Sequence, residues 1–277
     1  MTGWRLILDT SHGAAENMGI DEAIFRACAD GSVAPTIRIY SWDRPSISLG
    51  CLQPIRTVVR EAHDEAIDKH RRGDFDLEYC REAGVEVVRR ITGGRAVIHG
   101  TDVTFSIAVR ESDLPDGSRS VIASHQWLMG GIVAGLRKLG IGAEIGPERD
   151  NLSARNAPAD CFAHVAACDV RVGRGKVVGS AQVRRFGGLL EQGSIPYAQP
   201  AFDTARVFGR RTDAGGGPIG EFSYSAIADA VADGFRQHLN DPLKVSELTE
   251  AEVAVSQELA REKYATEAWT LRQTPCG

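Results

Sequence analysis

The order of hydrophobic and polar positions predicts a chain of mixed helices and strands. Apolar residues recur roughly every three to four positions in several stretches, which is the period of an amphipathic helix. This pattern predicts helices over 17–28, 121–139, 224–239 and 250–263. Thr249 and Glu252 have the spacing of a capping box at the start of the last of these helices.

Shorter runs of alternating or β-branched residues predict strands between the helices. They lie at 36–40, 47–49, 86–90, 103–109, 170–172, 176–178 and 189–195. Gly173-Arg174-Gly175 and Gly187-Gly188 have the composition of tight turns, so each predicts a hairpin. Because strands and helices mix without a regular strand–helix–strand repeat, the pattern predicts an α+β fold.

Composition and charge exclude several classes of protein. The 277 residues suffice for one large domain or two small ones, and 43% apolar with 25% charged residues is typical of a soluble globular protein. A net charge of −5 argues against a generally basic nucleic-acid binder. The chain has no apolar run of about 18 residues and no signal-peptide core, so we expect a cytoplasmic protein without membrane contact.

The cysteines follow no recognisable metal or disulfide pattern. Six are present, at positions 28, 51, 80, 161, 168 and 276, without a C-x-x-C pair or a zinc-ligand spacing. We therefore expect mostly buried, reduced thiols and no metal site.

Two blocks carry the chemistry that the sequence suggests. Residues 89–99 read RRITGGRAVIH and residues 175–182 read GKVVGSAQ, with Cys161 between them. Paired glycines let the backbone approach a ligand closely, and a strand lysine brings positive charge. A cysteine near that charge becomes a nucleophile if its thiolate is favoured.

These blocks resemble the lipoate/biotin protein ligase superfamily, whose members place acyl groups on a lysine of a carrier domain. The resemblance includes NMGIDEA at 17–23, PTIRIYSW at 35–42 and KYATEAW at 263–269, so it runs over nearly the whole chain. Within the superfamily, the chain is similar to the octanoyltransferase branch that takes octanoate from acyl carrier protein.

The resemblance implies mixed and antiparallel sheets flanked by helices, in a catalytic domain like those of biotin protein ligases and class II synthetases. It implies one domain over 1–277, with an α/β core to about 220 and a helical C-terminal extension over 221–277. The stretch 64–76 is longer than the family pattern, so we expect a solvated surface insertion there.

The resemblance also implies two catalytic residues. Cys161, followed by Phe162, stands at the position of the acyl-accepting nucleophile, although residues 163–169 depart from the usual pattern. Lys176 is implied to lie beside the acyl carbonyl, where an ammonium lowers the thiol pKa and stabilises the oxyanion. Whether Lys176 acts as a base or as an electrostatic partner stays open.

Substrate binding is expected from both blocks. The residues are Arg89, Gly93, Gly94, His99, Gly179, Ser180 and Gln182. We expect the glycines to line an acyl tunnel, Arg89 and Arg90 to bring positive charge to its mouth, and His99 to shape the site by hydrogen bonding. Basic residues cluster around the two blocks and suit docking of an acidic carrier protein, with solvated charge as the alternative. They are Arg89, Arg90, Arg95, Arg171, Arg174, Lys176, Arg184 and Arg185.

The leading interpretation is an octanoyltransferase that needs no cofactor. It moves the acyl group from acyl carrier protein, through a Cys161 thioester, to a lysine of a lipoyl or glycine-cleavage carrier domain. The alternatives are an ATP-dependent lipoate–protein ligase, which would use ATP and Mg²⁺, and an amidotransferase between two carrier domains. A silent lipoyl-binding protein is the alternative outside the enzymes. Acyl length, the donor and acceptor carriers and the oligomeric state stay open.

Overall fold

The computed structural model describes residues 3–57, 74–146, 169–208 and 217–271. Its strands are β1 (Trp4–His12), β2 (Thr36–Trp42), β3 (Ser46–Leu49), β4 (Arg56–Thr57), β5 (Asp74–Phe75), β6 (Glu86–Arg89), β7 (Val97–His99), β8 (Asp102–Arg110), β9 (Glu144–Ile145), β10 (Val170–Val172), β11 (Gly175–Arg185), β12 (Gly188–Pro196) and β13 (Leu243–Val245). Its helices are α1 (Ala14–Ala29), α2 (Leu77–Glu82), α3 (Val121–Lys138), α4 (Thr204–Phe208), α5 (Tyr224–His238), α6 (Glu250–Leu259) and α7 (Glu267–Thr270).

Within these residues, the strands form one large and two small sheets. The large sheet has eight strands in the order β13-β1-β2-β8-β12-β11-β10-β9, and only the pairs that involve β1 are parallel. A three-stranded sheet has the order β6-β3-β7, and β4 pairs with β5. The α+β fold with mixed sheets flanked by helices is thereby confirmed.

Alternation along β2 explains why helices cover both faces of the large sheet. Ile37 and Ile39 point to the core beneath α3 and α5. Arg38 and Tyr40 point to the other face, where both donate hydrogen bonds to Asp21 of α1. One face of the sheet is therefore packed with apolar side chains, whereas the α1 face has a buried polar layer.

The predicted helices and strands are present with small shifts at their ends. The hairpins β10–β11 and β11–β12 form at the predicted glycine turns, and the Thr249–Glu252 capping box is made. The C-terminal segment is less purely helical than expected, because β13 pairs with β1 at the edge of the large sheet. Most of the stretch 64–76 lies outside the described residues, so the predicted surface insertion is untested.

No helix in the described ranges has both the length and the apolar character needed to cross a membrane.

Two carboxylates, the half-buried Asp9 and the buried Glu22, make stability depend on pH. Burial alone would raise the pKa of Asp9 and Glu22, but Arg38 beside Asp9 and Lys263 beside Glu22 hold each pKa below its usual range. A carboxylate whose pKa is lower in the folded than in the unfolded state stabilises the folded protein. This stabilisation is fully present above the unfolded-state pKa of about 4 and is lost as the pH falls through the folded-state pKa.

We therefore expect the free energy of unfolding in urea to be level above about pH 5 and to fall progressively below about pH 4. Glu22→Gln should make this fall shallower, because it removes one of the carboxylates whose pKa is lowered. An unchanged slope in that variant would argue against a contribution from Glu22.

Candidate active site

An extra residue in β11 decides which face of the large sheet carries Lys176. The pairing of β10 with β11 shifts by one residue at this point, so Val177 is the additional residue of a β-bulge. Val177 and Val178 both join the core beneath α3 and α5. Lys176 is thereby turned to the opposite face, on which Gly179 and Ala181 lie.

Lys176 forms a buried ion pair with Asp169, which directly precedes β10. The two residues are 2% and 5% exposed, and Nζ lies 2.9 Å from Oδ2. Lysines are almost never buried to this degree unless they are paired, and the carboxylate favours the ammonium form. A cation fixed in such a water-poor place is suited to stabilising a thiolate or an oxyanion.

A small cavity of about 20 Å³ lies between the eight-stranded and the three-stranded sheet. Its apolar wall includes Met18 of α1, Tyr40 and Trp42 of β2, and Val97 of β7. Gly179 also lines it, and this glycine is about 10 Å along β11 from Lys176, at about 3.3 Å per residue. The strand that carries the buried ammonium therefore continues into the cavity wall.

His99, predicted to shape the site, lines this cavity and is held on three sides. Its Nδ1 lies 2.8 Å from Oδ2 of Asp102, and its Nε2 lies 2.8 Å from Oγ of Ser48. The ring stacks on Trp42 with 4.0 Å between the ring centroids. Burial alone would raise the pKa of Asp102, but His99 and the hydroxyls around it hold that pKa below its usual range.

A second polar network lies under the cavity, centred on Asp21. This carboxylate accepts hydrogen bonds from Arg38 (2.8 Å), Tyr40 (2.8 Å), Ser106 (2.7 Å) and Gln192 (2.6 Å). Sequence reasoning did not single out Gln192, although it lines the cavity. The network fixes one wall of the cavity from α1, β2, β8 and β12 together.

Arg90 holds the glycine loop rather than the mouth of a tunnel. Its Nη2 donates to the carbonyl oxygens of Gly93 (2.6 Å) and Arg95 (2.8 Å), and its Nη1 donates to the carbonyl oxygen of Ser48 (2.8 Å). The side chain is buried against the cavity. Arg90 was expected to bring positive charge to the mouth of a tunnel; it lies at the cavity, and its guanidinium is used there to fix backbone carbonyls.

Arg89, expected to bind substrate, faces away from the cavity. Its Nη1 donates to the carbonyl oxygens of Gly50 (2.6 Å) and Gln53 (2.7 Å), and its Nε donates to that of Thr270 (3.0 Å). In return, its own carbonyl accepts a hydrogen bond from Trp269 Nε1 at 2.7 Å. The structure thus corrects the expected position of Arg89, which ties the C-terminal segment to the loop after β3.

Backbone geometry accounts for Gly94 of the paired glycines, whereas a Cβ atom at Gly93 would meet open space. Gly94 has a φ of +81°, a conformation that side chains other than glycine's rarely adopt. The loop also packs so closely on Gly50 that a Cβ atom there would overlap the carbonyl oxygen of Gly94. Neither Gly93 nor Gly94 is among the described residues that line the cavity, so their contact with an acyl chain stays a prediction.

Gly50→Ala is expected to displace the glycine loop, destabilise the fold by about 1–3 kcal/mol and lower acyl transfer. Thermal unfolding and an acyl-transfer assay check this. Gly84→Ala is the matched control, because Gly84 has a φ of +66° with open space around it. The control should lose stability only. Full activity in Gly50→Ala would contradict a role of this contact in the site.

The three residues predicted on β11 do not share one environment. Gly179 and Ser180 line the cavity, but the Ser180 hydroxyl lies 3.7 Å from the sulfur of Met129 in α3. Gln182 donates to the carbonyl of Val121 and to Glu191 on that same α3 face. Alternation along the strand therefore places the Gln182 side chain away from the cavity, contrary to the expected contact with the acyl group.

Arg184 is far from Lys176 and already engaged. Arg184 is eight positions after Lys176 along the extended strand, so the two residues are about 26 Å apart at about 3.3 Å per residue. The Arg184 guanidinium donates to the carbonyl of Arg119 (2.7 Å) and to the hydroxyl of Ser124 (2.8 Å). The expected basic docking surface is therefore divided between the two ends of β11.

The predicted nucleophile Cys161 lies outside the described residues, as does Cys168. Burial raises the pKa of Cys28 and of Cys80 to about 12, which keeps both as thiols at neutral pH. Cys51, in the loop after β3, is buried as well.

Comparison with known proteins assigns the family. Residues 13–207 match the family model of the lipoyl protein ligase A/B catalytic domain, and the chain belongs to this family. Two full-length relatives are each named octanoyltransferase LipM. The protein of Symbiobacterium thermophilum is 35% identical over 98% of this chain and 99% of its own. That of Carboxydothermus hydrogenoformans is 36% identical over 98% and 100%.

Solved structures agree with this assignment. A Thermoplasma acidophilum protein with bound lipoic acid superposes with a TM-score of 0.71 at 25% identity, covering 98% of this chain and 99% of its own. Lipoate-protein ligase A bound with ATP shares the fold, with a TM-score of 0.74 at 24% identity and coverage of 99% and 100%. The resemblance to the lipoate ligase superfamily is confirmed.

Proposed function

We propose that this chain, an octanoyltransferase like its full-length relatives, holds its acyl group as a thioester on Cys161. The donor is octanoyl-acyl carrier protein. The acceptor is a lysine of a lipoyl domain or of the glycine-cleavage carrier protein. Exchange between thioesters keeps the acyl group activated, so the reaction needs neither ATP nor another cofactor, and ping-pong kinetics follow.

The observation that supports this proposal most is the buried Lys176 ammonium on the strand that continues into the cavity wall. Its ion pair with Asp169 maintains a positive charge in a place with little water. Positive charge there favours the thiolate during loading and the oxyanion of each tetrahedral intermediate afterwards. Burial of an octanoyl chain would add about 0.8 kcal/mol for each methylene removed from water.

Intact-mass spectrometry after incubation with octanoyl-acyl carrier protein, without ATP, tests the proposal. Wild type and Cys168→Ser should carry one octanoyl group that neutral hydroxylamine removes, whereas Cys161→Ser should carry none. Addition of a lipoyl domain should then transfer the group.

Two other outcomes would overturn the proposal. Acylation of the lipoyl domain only with free octanoate and ATP would make the chain a lipoate–protein ligase. A thioester that forms only from an octanoylated carrier domain would make it an amidotransferase between two carrier domains.

A further inference from the structure

Three side chains on the cavity wall form a hydrogen-bonded chain that the proposed function does not use. Ser48 of β3, His99 at the end of β7 and Asp102 at the start of β8 are connected by two contacts of 2.8 Å each. All three are buried, and Ser48 and His99 line the cavity. A serine, a histidine and an aspartate in this order form the arrangement by which enzymes move a proton from a hydroxyl to an imidazole.

The surrounding contacts fix the direction of every proton in this chain. Asp102 Oδ2 accepts from the hydroxyls of Thr104 (2.8 Å) and Ser194 (2.7 Å), so it is an acceptor for His99 Nδ1–H as well. His99 Nε2 is then left as an acceptor. Arg90 Nη1, which has only protons to donate, contacts Ser48 Oγ at 3.1 Å. The Ser48 hydroxyl proton is therefore directed at His99.

Two further contacts hold the His99 ring in place. The Asp102 carboxylate lies against one ring nitrogen, and the indole of Trp42 stacks face to face on the imidazole. The other ring nitrogen is thereby directed at Ser48. On the far side of Ser48, the Arg90 guanidinium donates to several carbonyl oxygens.

We propose that Ser48, His99 and Asp102 form the proton relay for transfer of the acyl group to the acceptor lysine. The proposal rests on the proposed function. The lysine nitrogen attacks the thioester carbon, so a C–N bond forms and the C–S bond breaks. The excess proton on nitrogen passes to Ser48 Oγ while the serine proton passes to His99 Nε2. The sulfur leaves as a thiolate, and the imidazolium then releases its proton to solvent. Lys176, paired with Asp169, takes no part in this proton transfer and stabilises the negative charge on the oxygen of the tetrahedral intermediate.

The test uses the isolated octanoyl-enzyme and two nucleophiles. The lysine of a lipoyl domain is protonated at pH 7 and needs a base both to become a nucleophile and to lose its remaining excess proton. Hydroxylamine is largely unprotonated at pH 7 and, as a small nucleophile, can give the proton that it loses on attack to water, so it depends far less on a base of the enzyme. In Ser48→Ala and in His99→Gln, transfer to the lipoyl domain should fall about 100-fold in kcat, since general base catalysis typically contributes at least this factor. Loading from octanoyl-acyl carrier protein and release by hydroxylamine should stay within about twofold of wild type. Ser48→Thr, which keeps a hydroxyl, should recover most of the transfer rate.

Ser46→Ala is the matched control, because it removes another buried hydroxyl from β3 whose partner is the carbonyl of Arg44. It should transfer at the wild-type rate. Equal losses with lysine and with hydroxylamine would assign the three residues a structural role and overturn the relay. Normal loading together with normal transfer in the Ser48 and His99 variants would also overturn the relay. Failure of wild type to form the thioester would instead overturn the proposed function, and the relay with it.

Discussion

Lys176→Met is expected to lower the free energy of unfolding by about 3–5 kcal/mol and to abolish acyl loading. The substitution breaks a buried ion pair by removing the ammonium that Asp169 contacts, and removal of one member of such a pair carries a cost of this size. It also removes the cation that favours a thiolate. Urea denaturation gives the first quantity, and intact mass after incubation with octanoyl-acyl carrier protein gives the second.

The double variant Lys176→Met/Asp169→Asn separates these two effects. With both charges removed, most of the lost stability should return, because replacing a whole buried pair costs far less than breaking it. Loading should remain slower by at least about 100-fold, the usual loss when a group that stabilises an oxyanion is removed. Recovery of loading together with stability would show that Lys176 only supports the fold.

Arg38→Met is expected to have an effect on stability of the same size. Arg38 is fully buried and lies 2.8 Å from both Asp21 and Asp9, so its removal leaves two carboxylates without their cation. We expect a loss of about 3–5 kcal/mol in urea denaturation. Because Asp21 also accepts from Gln192 at the cavity wall, acyl transfer should fall as well.

Arg26→Met is the control for this prediction. Arg26 pairs with Glu22, but its side chain is 48% exposed and Glu22 keeps Lys263 as a partner. Exposed pairs contribute at most about 1 kcal/mol, so this variant should be nearly as stable as wild type. Equal losses in the two variants would show that burial of the Arg38 network does not determine its contribution.

The helices and strands that periodicity predicted are present in the structure because each depends on local sequence. The helix over 121–139 and the hairpin at Gly173-Arg174-Gly175 are fixed by apolar spacing and turn residues within a short window. The face that Lys176 occupies could not be predicted in this way. It depends on one additional residue in the pairing of two strands, which leaves no mark on the hydrophobic pattern.

The polar network on Asp21 shows a different limit. Its members Arg38, Ser106 and Gln192 are distant in sequence and meet only because β2, β8 and β12 are neighbours in the large sheet. The sequence held one signal for this network. Asp21 lies one helical turn after Asn17, and both are close to the apolar stripe of α1 that contains Ile20 and Ile24. Two polar residues were thus predictable on or beside the buried side of the helix. Gln182 was misplaced although strict alternation with Gly179 already separates their faces.

The bulge at Val177 makes the chemistry of this enzyme depend on a count of residues as well as on their identity. Deleting Val177 would preserve every side chain with a proposed role, yet it would turn the lysine toward the helices α3 and α5 and bring a charge into an apolar layer. A lineage could thus lose activity through a three-nucleotide deletion that a comparison of key residues would overlook. When homologues of this family are sorted into active and inactive members, the length of this hairpin strand is as informative as the presence of its lysine.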